Sequence, residues 1–207
     1  MNKDLLLIFT RNPELGKVKT RLAATIGDEA ALQIYEFLLD HTLEITRDLG
    51  VTKHVYYSET IWENDIWDAS VYEKKLQAGN DLGARMKNAF ESGFKEGFEK
   101  IVIIGSDIYD ISSEDVQNAF SALNSHELVI GEAQDGGYYL LGMNRLYTGL
   151  FENKEWGTNT VFTDTVSEIE DRSVFYLPIR NDIDVYEDLL DHEIFNPYTK
   201  TNQVNDQ

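Results

Sequence analysis

Apolar residues fall along this chain in short blocks that alternate between two periods. Leu5–Phe9 is a continuous apolar run, the pattern of a strand covered on both faces. A loop rich in Pro, Gly and Lys follows, through about Lys19. From Asp28 to about Leu49 the positions Leu32, Tyr35, Leu38, Leu39, Thr42, Leu43 and Ile45 recur at helical spacing. Val55–Tyr57 predicts a second strand and Val71–Leu76 a weaker third. Asp81 can cap a helix reaching about Phe98, with Leu82, Met86, Phe90 and Phe94 on one face. Lys100–Ile104 reads as another buried strand. Ser112 or Ser113 can cap the helix that carries Val116, Ala119, Phe120 and Leu123. Leu128–Ile130 and Tyr138–Met143 read as two more strands. Asn159 to about Ile169 reads as a helix, Val174–Leu177 as a short strand, and Asp184–His192 as a final helix.

Strands alternating with helices predict an α/β fold: a three-layer sandwich whose mixed sheet is mainly parallel, with helices on both faces. The chain shows no internal repeat and no low-complexity linker. Residues 1–195 are therefore expected to form one domain, and 196–207 a polar tail that frays. In such sheets ligands sit beyond the carboxyl ends of the strands. The polar segments after the apolar strands are where chemistry is to be sought.

Composition narrows the classes. The chain has no cysteine, which excludes disulfides, thiolate catalysis, Fe–S clusters and cysteine-based zinc sites. The formal net charge of -19 argues against nucleic acid and anionic membranes as partners, because phosphates are repelled at long range. The first apolar run is too short for a membrane span or a signal peptide, and no other run approaches spanning length. A soluble, cytoplasmic protein is expected.

Against that acidic background, the segment after the first strand stands out. It carries Lys17, Lys19 and Arg21 in alternation, so an extended loop would point them to one side. Gly16 would let the backbone pass close to a ligand, and Thr20 could offer its hydroxyl and amide at a helix start. The set fits a di- or triphosphate cradle. A solvated basic turn fits the residues alone as well. Neither a P-loop nor a G-x-G-x-x-G fingerprint occurs.

Acidic residues follow two other strands. Asp107 comes just past Lys100–Ile104, where a carboxylate can hold Mg²⁺ or Mn²⁺ beside donor phosphates. Asp107 and Asp110 read equally as turn or cap residues. Asp182 and Asp184 alternate after Val174–Leu177, so one could complete a metal site, while Asp184 could instead cap the last helix with Glu187 in a capping box. Asp135-Gly136-Gly137 joins two strands and reads first as a hairpin turn. Its functional alternative brings backbone close to an acceptor or sugar, with Asp135 near the reacting atoms. Tyr138 and Tyr139 point to opposite faces, so one of them at most is expected to line a site.

These motifs, taken in order, resemble a known family. Phe-Thr-Arg-Asn-Pro-Glu-Leu-Gly-Lys-Val-Lys-Thr-Arg-Leu-Ala, Gln-Ala-Gly-Asn-Asp-Leu-Gly-Ala-Arg-Met, Ile-Ile-Gly-Ser-Asp, Asp-Gly-Gly-Tyr-Tyr-Leu-Leu-Gly and Asp-Ile-Asp-Val-Tyr-Glu-Asp-Leu look like the bacterial glycosyltransferase A-type family long listed as of unknown function. That family is related to nucleotidyltransferases of cofactor biosynthesis, and the match spans roughly residues 4 to 190. The resemblance implies a nucleotide-diphospho-sugar transferase fold, with phosphates at Lys17, Lys19 and Arg21. It implies a divalent metal at Asp107 with Asp182 and Asp184. The segment Gln77 to Gly83, including Leu82, would approach the nucleotide base. Two departures stand out: Ile108 and Tyr109 replace the family's usual Cys-Pro, and Glu132 replaces a usual proline before the Asp-Gly-Gly turn. Both put acceptor specificity in question.

Three functions follow as expectations. The first is glycosyl transfer from a nucleotide-sugar to a small-molecule acceptor, with Asp107 and Asp135 at the reacting atoms. The second is nucleotidyl transfer joining an NTP to a phosphorylated metabolite, which the clustered cations favour. The third is a non-catalytic nucleotide-binding relative.

Overall fold

A computed structural model describes residues 3–200 of the chain. Seven strands form one sheet: β1 (Asp4–Thr10), β2 (Thr52–Tyr57), β3 (Glu73–Leu76), β4 (Lys100–Gly105), β5 (Leu128–Ala133), β6 (Tyr138–Met143) and β7 (Val174–Arg180). Their spatial order is β3-β2-β1-β4-β6-β5-β7. β1 pairs in parallel with both β2 and β4, and β7 pairs in parallel with β5. β6 runs antiparallel to both of its neighbours, β4 and β5. The mainly parallel mixed sheet expected from the alternation is therefore present.

The helices are α1 (Thr20–Ile26), α2 (Asp28–Arg47), α3 (Leu82–Lys95), α4 (Ser113–Ala122), α5 (Val161–Ser167), α6 (Tyr186–Leu190) and α7 (Asn196–Lys200). Strand period two splits the core by sheet face. Leu6, Ile8, Val102 and Ile104 pack with Tyr35 and Leu39 of α2 and Val116 and Phe120 of α4. Leu5, Leu7, Ile101 and Ile103 pack on the other face with Met86 and Phe90 of α3. Three layers result.

Local signals set most boundaries. Asp81 caps α3 by accepting from the Ala84 amide at 2.8 Å. Ser112 is the cap of α4, with Asp115 closing the capping box. Two expectations fail. Asp184 does not cap α6: Asp188 reaches back instead, accepting from the Asp184 and Val185 amides at 2.8 and 2.7 Å. Nor does the polar stretch after residue 195 begin as a frayed tail. Asn196–Lys200 forms α7, because Phe195 is buried beside Leu189 and Tyr198 packs on the same cluster. Residues 201–207 of that tail lie outside the described residues.

β1 and β4 lie side by side, with the chain winding away from them in opposite directions. Their carboxyl ends mark the switch point at which open α/β sheets form a ligand crevice.

Candidate functional site

The crevice has two joined lobes. The larger, about 670 Å³, lies over the ends of β1, β2 and β4, and Arg11, Lys17, Lys19, Arg21 and Arg85 contribute to its wall. The smaller, about 220 Å³, lies between β4, the β5–β6 turn and residues 156–161. Phe9, Leu82, Gly105 and Asp107 border both.

Buried polar groups build the floor. The Tyr35 hydroxyl accepts from the Arg11 amide at 2.8 Å and lies 3.2 Å from both Thr10 Oγ1 and Ser106 Oγ. It ties the end of β1 to the residue after β4. Asn12 is buried: its Oδ1 accepts from the Glu59 and Thr60 amides, and its Nδ2 donates to Thr60 O at 2.7 Å. These residues went unsingled in the sequence. Their signal was a polar side chain at the end of an apolar strand or within two residues of it, at Thr10, Asn12 and Ser106.

The basic triplet borders one lobe, but not as one face of an extended loop, because the loop turns. Lys17 donates its amide to Glu14 O at 3.0 Å in a turn, and its ammonium pairs with Glu14 and Glu59 on the surface. Lys19 adopts a left-handed backbone (φ 48) and turns inward. Non-glycine residues avoid that region unless surrounding structure imposes it. Lys19 Nζ lies 2.9 Å from Asp107 Oδ2, with 5% of its side chain accessible. Arg21, in α1, pairs with Asp184 Oδ2 at 2.6 Å. Gly16 lines neither lobe and serves a turn (φ 74).

Electrostatics bind the two sides of the crevice together. Burial disfavours the charge of Lys19, but Asp107, with Asp182 and Asp184 behind it, outweighs that and raises its pKa. Burial likewise works against the Asp107 carboxylate, yet Lys19 and then Arg11 hold its pKa below the ordinary value. Asp182 is pushed up to about 7 by burial and then by the Asp107 carboxylate, with Asp135 and Asp184 adding to the effect.

That crowding of carboxylates bears on a divalent cation. Asp107 and Asp182 border the smaller lobe together, and their mutual repulsion is what a hard cation relieves. Mg²⁺ needs only one or two carboxylates when phosphate oxygens complete its shell. The pair fits such an ion once Lys19 is released from Asp107; Asp184 is paired with Arg21 at the wall of the larger lobe. Among the described residues, the three side chains whose ligand atoms lie within 4.8 Å of one another are His54, Glu73 and Glu96, away from the crevice. Lys75 already bridges those two glutamates at 3.3 and 2.7 Å. The buried Nδ1 of His54 has no partner, whereas a metal-bound histidine needs an acceptor there.

The remaining expected residues divide. Gln77 donates Nε2 to Thr10 O and Tyr56 O at 3.1 and 3.0 Å, so its amide nitrogen is engaged beneath the larger lobe. Leu82 is exposed at the junction of the lobes. Gly83 sits under Trp156: a Cβ there would lie 2.5 Å from the indole. The Asp-Gly-Gly segment is a β5–β6 hairpin and also borders the smaller lobe through Asp135 and Gly137. Asp135 Oδ1 accepts from the Gly137 amide at 2.8 Å. Gly136 (φ 86) supports the turn from behind: a Cβ there would fall 2.2 Å from Asn159 O. Tyr138 and Tyr139 both border the lobe despite pointing to opposite faces, but the Tyr139 hydroxyl donates to Pro178 O at 2.9 Å.

Strand order and crevice together define the nucleotide-diphospho-sugar transferase type of fold. A protein from Desulfovibrio desulfuricans G20, provisionally assigned as a nucleotide-diphospho-sugar transferase, superposes with a TM-score of 0.82 at 30% identity, over 100% of this chain and 96% of its own. The chain belongs to the bacterial family described as "Uncharacterized protein conserved in bacteria (DUF2064)", whose model matches residues 42–158. More distant structures share the fold alone. A cytidylyltransferase from Leptospira borgpetersenii has a TM-score of 0.54 at 19% identity, over 91% of this chain and 84% of that one. A manganese complex of a Mycobacterium tuberculosis protein has a TM-score of 0.54 at 11% identity, over 91% and 96%. Among curated proteins none matches this sequence. Among the described residues no helix is long and apolar enough to cross a membrane.

Proposed function

We propose that this protein is a metal-dependent glycosyltransferase that draws on a nucleotide-sugar, with the donor diphosphate in the larger lobe and the acceptor in the smaller. The observation that carries this reading is the unequal lining of the two lobes, which meet at Asp107: five cationic side chains line the larger beside Glu59, Asp107 and Asp184, and among the described residues no lysine, arginine or histidine lines the smaller. Phosphates are held by charge-assisted donors, and here those donors are confined to one lobe. The relatives named as nucleotide-diphospho-sugar transferase and cytidylyltransferase support nucleotide use in general.

On this reading Lys19 and Arg21 exchange their carboxylate partners for donor phosphate oxygens. Asp107 and Asp182 would hold Mg²⁺ or Mn²⁺, whose contribution there is to neutralise the phosphates and the departing nucleoside diphosphate. An acceptor hydroxyl oxygen forms the new bond to the anomeric carbon. The bond from that carbon to the diphosphate oxygen breaks, and its electron pair leaves with the nucleoside diphosphate. The acceptor proton passes to the carboxylate of Asp135, within hydrogen-bond reach in a productive pose.

Nucleotidyl transfer is the second reading, favoured by the number of cations in the larger lobe. The test incubates the protein with Mg²⁺ or Mn²⁺, separate NTPs, nucleotide-sugars and a metabolite extract, and follows released nucleoside diphosphate against released pyrophosphate. Nucleoside diphosphate release that is lost in Asp107→Asn supports glycosyl transfer. Asp107-dependent pyrophosphate release overturns it.

A further inference from the structure

The smaller lobe is informative about what it accepts. Its wall is apolar and aromatic: Met86, Ile108, Tyr138, Trp156 and Val161 line it, with carboxylates at Asp107 and Asp135. Tyr138 and Trp156 meet edge to face, their ring centroids 6.5 Å apart. The Tyr138 hydroxyl has only the Met86 sulfur as a partner, at 3.8 Å. A thioether is a weak acceptor, so this donor remains open to a better one. Burial pushes the Tyr138 phenol well above its ordinary pKa, and it stays a donor at any working pH. At about 220 Å³ the lobe falls below the roughly 300–1,000 Å³ of sites that enclose a whole drug-sized ligand. It has room for one ring-sized unit.

We infer that the acceptor presents to this lobe an uncharged ring-sized unit with an apolar or aromatic face and a hydroxyl, and that phosphorylated or carboxylated units are turned away. The inference rests on the donor reading above, which assigns the larger lobe to the diphosphate. An anionic group here would meet carboxylates and no lining cation. A divalent ion at Asp107 and Asp182 would be committed to the donor phosphates and would leave Asp135 uncompensated. A neutral ring meets Tyr138 and Trp156, and its hydroxyl meets the Tyr138 donor and the Asp135 carboxylate.

The test uses two probes that share one ring, benzyl alcohol and phenyl phosphate, followed by ligand-observed NMR with the larger lobe saturated by inorganic pyrophosphate. Benzyl alcohol should bind at least tenfold tighter than phenyl phosphate. Thr158→Trp, at an exposed position on the lobe's rim, should weaken benzyl alcohol at least tenfold and leave pyrophosphate affinity unchanged. Thr158→Lys should narrow or reverse the preference by supplying the missing cation. Phenyl phosphate binding as tightly as benzyl alcohol, no benzyl alcohol binding beside clear pyrophosphate binding, or indifference of benzyl alcohol to Thr158→Trp each overturns the inference while the donor reading stands. Failure of pyrophosphate to bind, or its indifference to Lys19→Ala, overturns the donor reading instead, and the benzyl alcohol result in the two Thr158 variants still decides what the lobe accepts.

Discussion

Tyr35→Phe isolates the joint beneath the crevice. The substitution removes one oxygen and leaves a ring that fills the same buried space. That oxygen accepts from the Arg11 amide at 2.8 Å and lies 3.2 Å from Thr10 Oγ1 and from Ser106 Oγ. The two hydroxyls keep each other, being themselves 3.2 Å apart. The Arg11 amide does not, because its partner is gone. Losing a hydrogen bond costs about 0.5–1.5 kcal/mol, and stranding a buried donor about 1–3 kcal/mol. The second cost replaces the first rather than adding to it, and because the Arg11 amide bond is only part-buried, it falls in the lower part of that range, about 1–2 kcal/mol. For a chain of this size that lowers the melting temperature by roughly 2–8 °C. Urea denaturation of Tyr35→Phe, Ser106→Ala and the double variant measures it. The double variant should lose less than the sum of the singles, since the two share one network. A loss below about 0.5 kcal/mol in Tyr35→Phe, or strict additivity, would refute the account of a shared polar joint.

Three further outcomes are expected. Lys19→Ala should weaken pyrophosphate by about 1.5–3 kcal/mol in calorimetry, the worth of a charge-assisted contact, whereas Lys17→Ala, at the lobe's wall but with its ammonium half-exposed beside Glu14 and Glu59, should change little; equal losses would give Lys17 the same share in phosphate binding as Lys19. Gly136→Ala should cost about 2–4 kcal/mol, because left-handed strain adds to an overlap with Asn159 O, while Gly97→Ala, with φ 94 but nothing within 4 Å, should carry the strain alone, about 1–2 kcal/mol; thermal melts compare them. Burial opposes the Asp115 carboxylate, but hydrogen bonds from Ser112 and Arg180 win and hold its pKa low, so its stabilisation is complete above the ordinary aspartate value of about 3.9 and is lost as pH falls through the lowered folded value. The stability gap between the native chain and Asp115→Ala should therefore shrink in strong acid, and a constant gap in urea midpoints from neutral pH to about pH 2 would contradict it.

Much of the fold was legible because its signals are local. The apolar runs at Leu5–Phe9 and Lys100–Ile104 are buried strands, and Asp81 and Ser112 do cap helices. The basic triplet was harder to read. Alternation predicts a common side only for extended backbone; the alternative of a basic turn describes Glu14–Lys17, while nothing local foretold the left-handed Lys19. Asp184 is not the cap that one reading made it, because the helix starts a residue later, with Val185 at the N-cap position and Asp188 accepting from the Asp184 and Val185 amides from inside the helix. Tyr35 read as one more apolar residue on a helix face. That its hydroxyl joins two strands from separate parts of the chain is a tertiary fact, outside the reach of periodicity.

The departures at Ile108 and Tyr109 bear on whether the crevice is intact. A proline there would act mainly by restricting φ, an effect worth roughly 0.4–1 kcal/mol through the unfolded chain. This chain holds the segment by other means. The Asp107 carbonyl accepts from the Ile183 amide at 3.2 Å, which ties the β4 loop to the loop that carries Asp182. Ile108 is buried at the edge of the smaller lobe. The Tyr109 ring packs against Phe37, His41, His192 and Phe195, with centroids 5.1–5.8 Å away. Aromatic pairs of this kind contribute about 0.5–1.5 kcal/mol each beyond the area they bury, so a few of them outweigh what one proline supplies. Glu132, at the other departure, falls where the β5–β6 register shifts, a bulge that can re-aim the following turn without proline. The substitutions thus replace one way of fixing the loops that carry Asp107 and Asp135 with another.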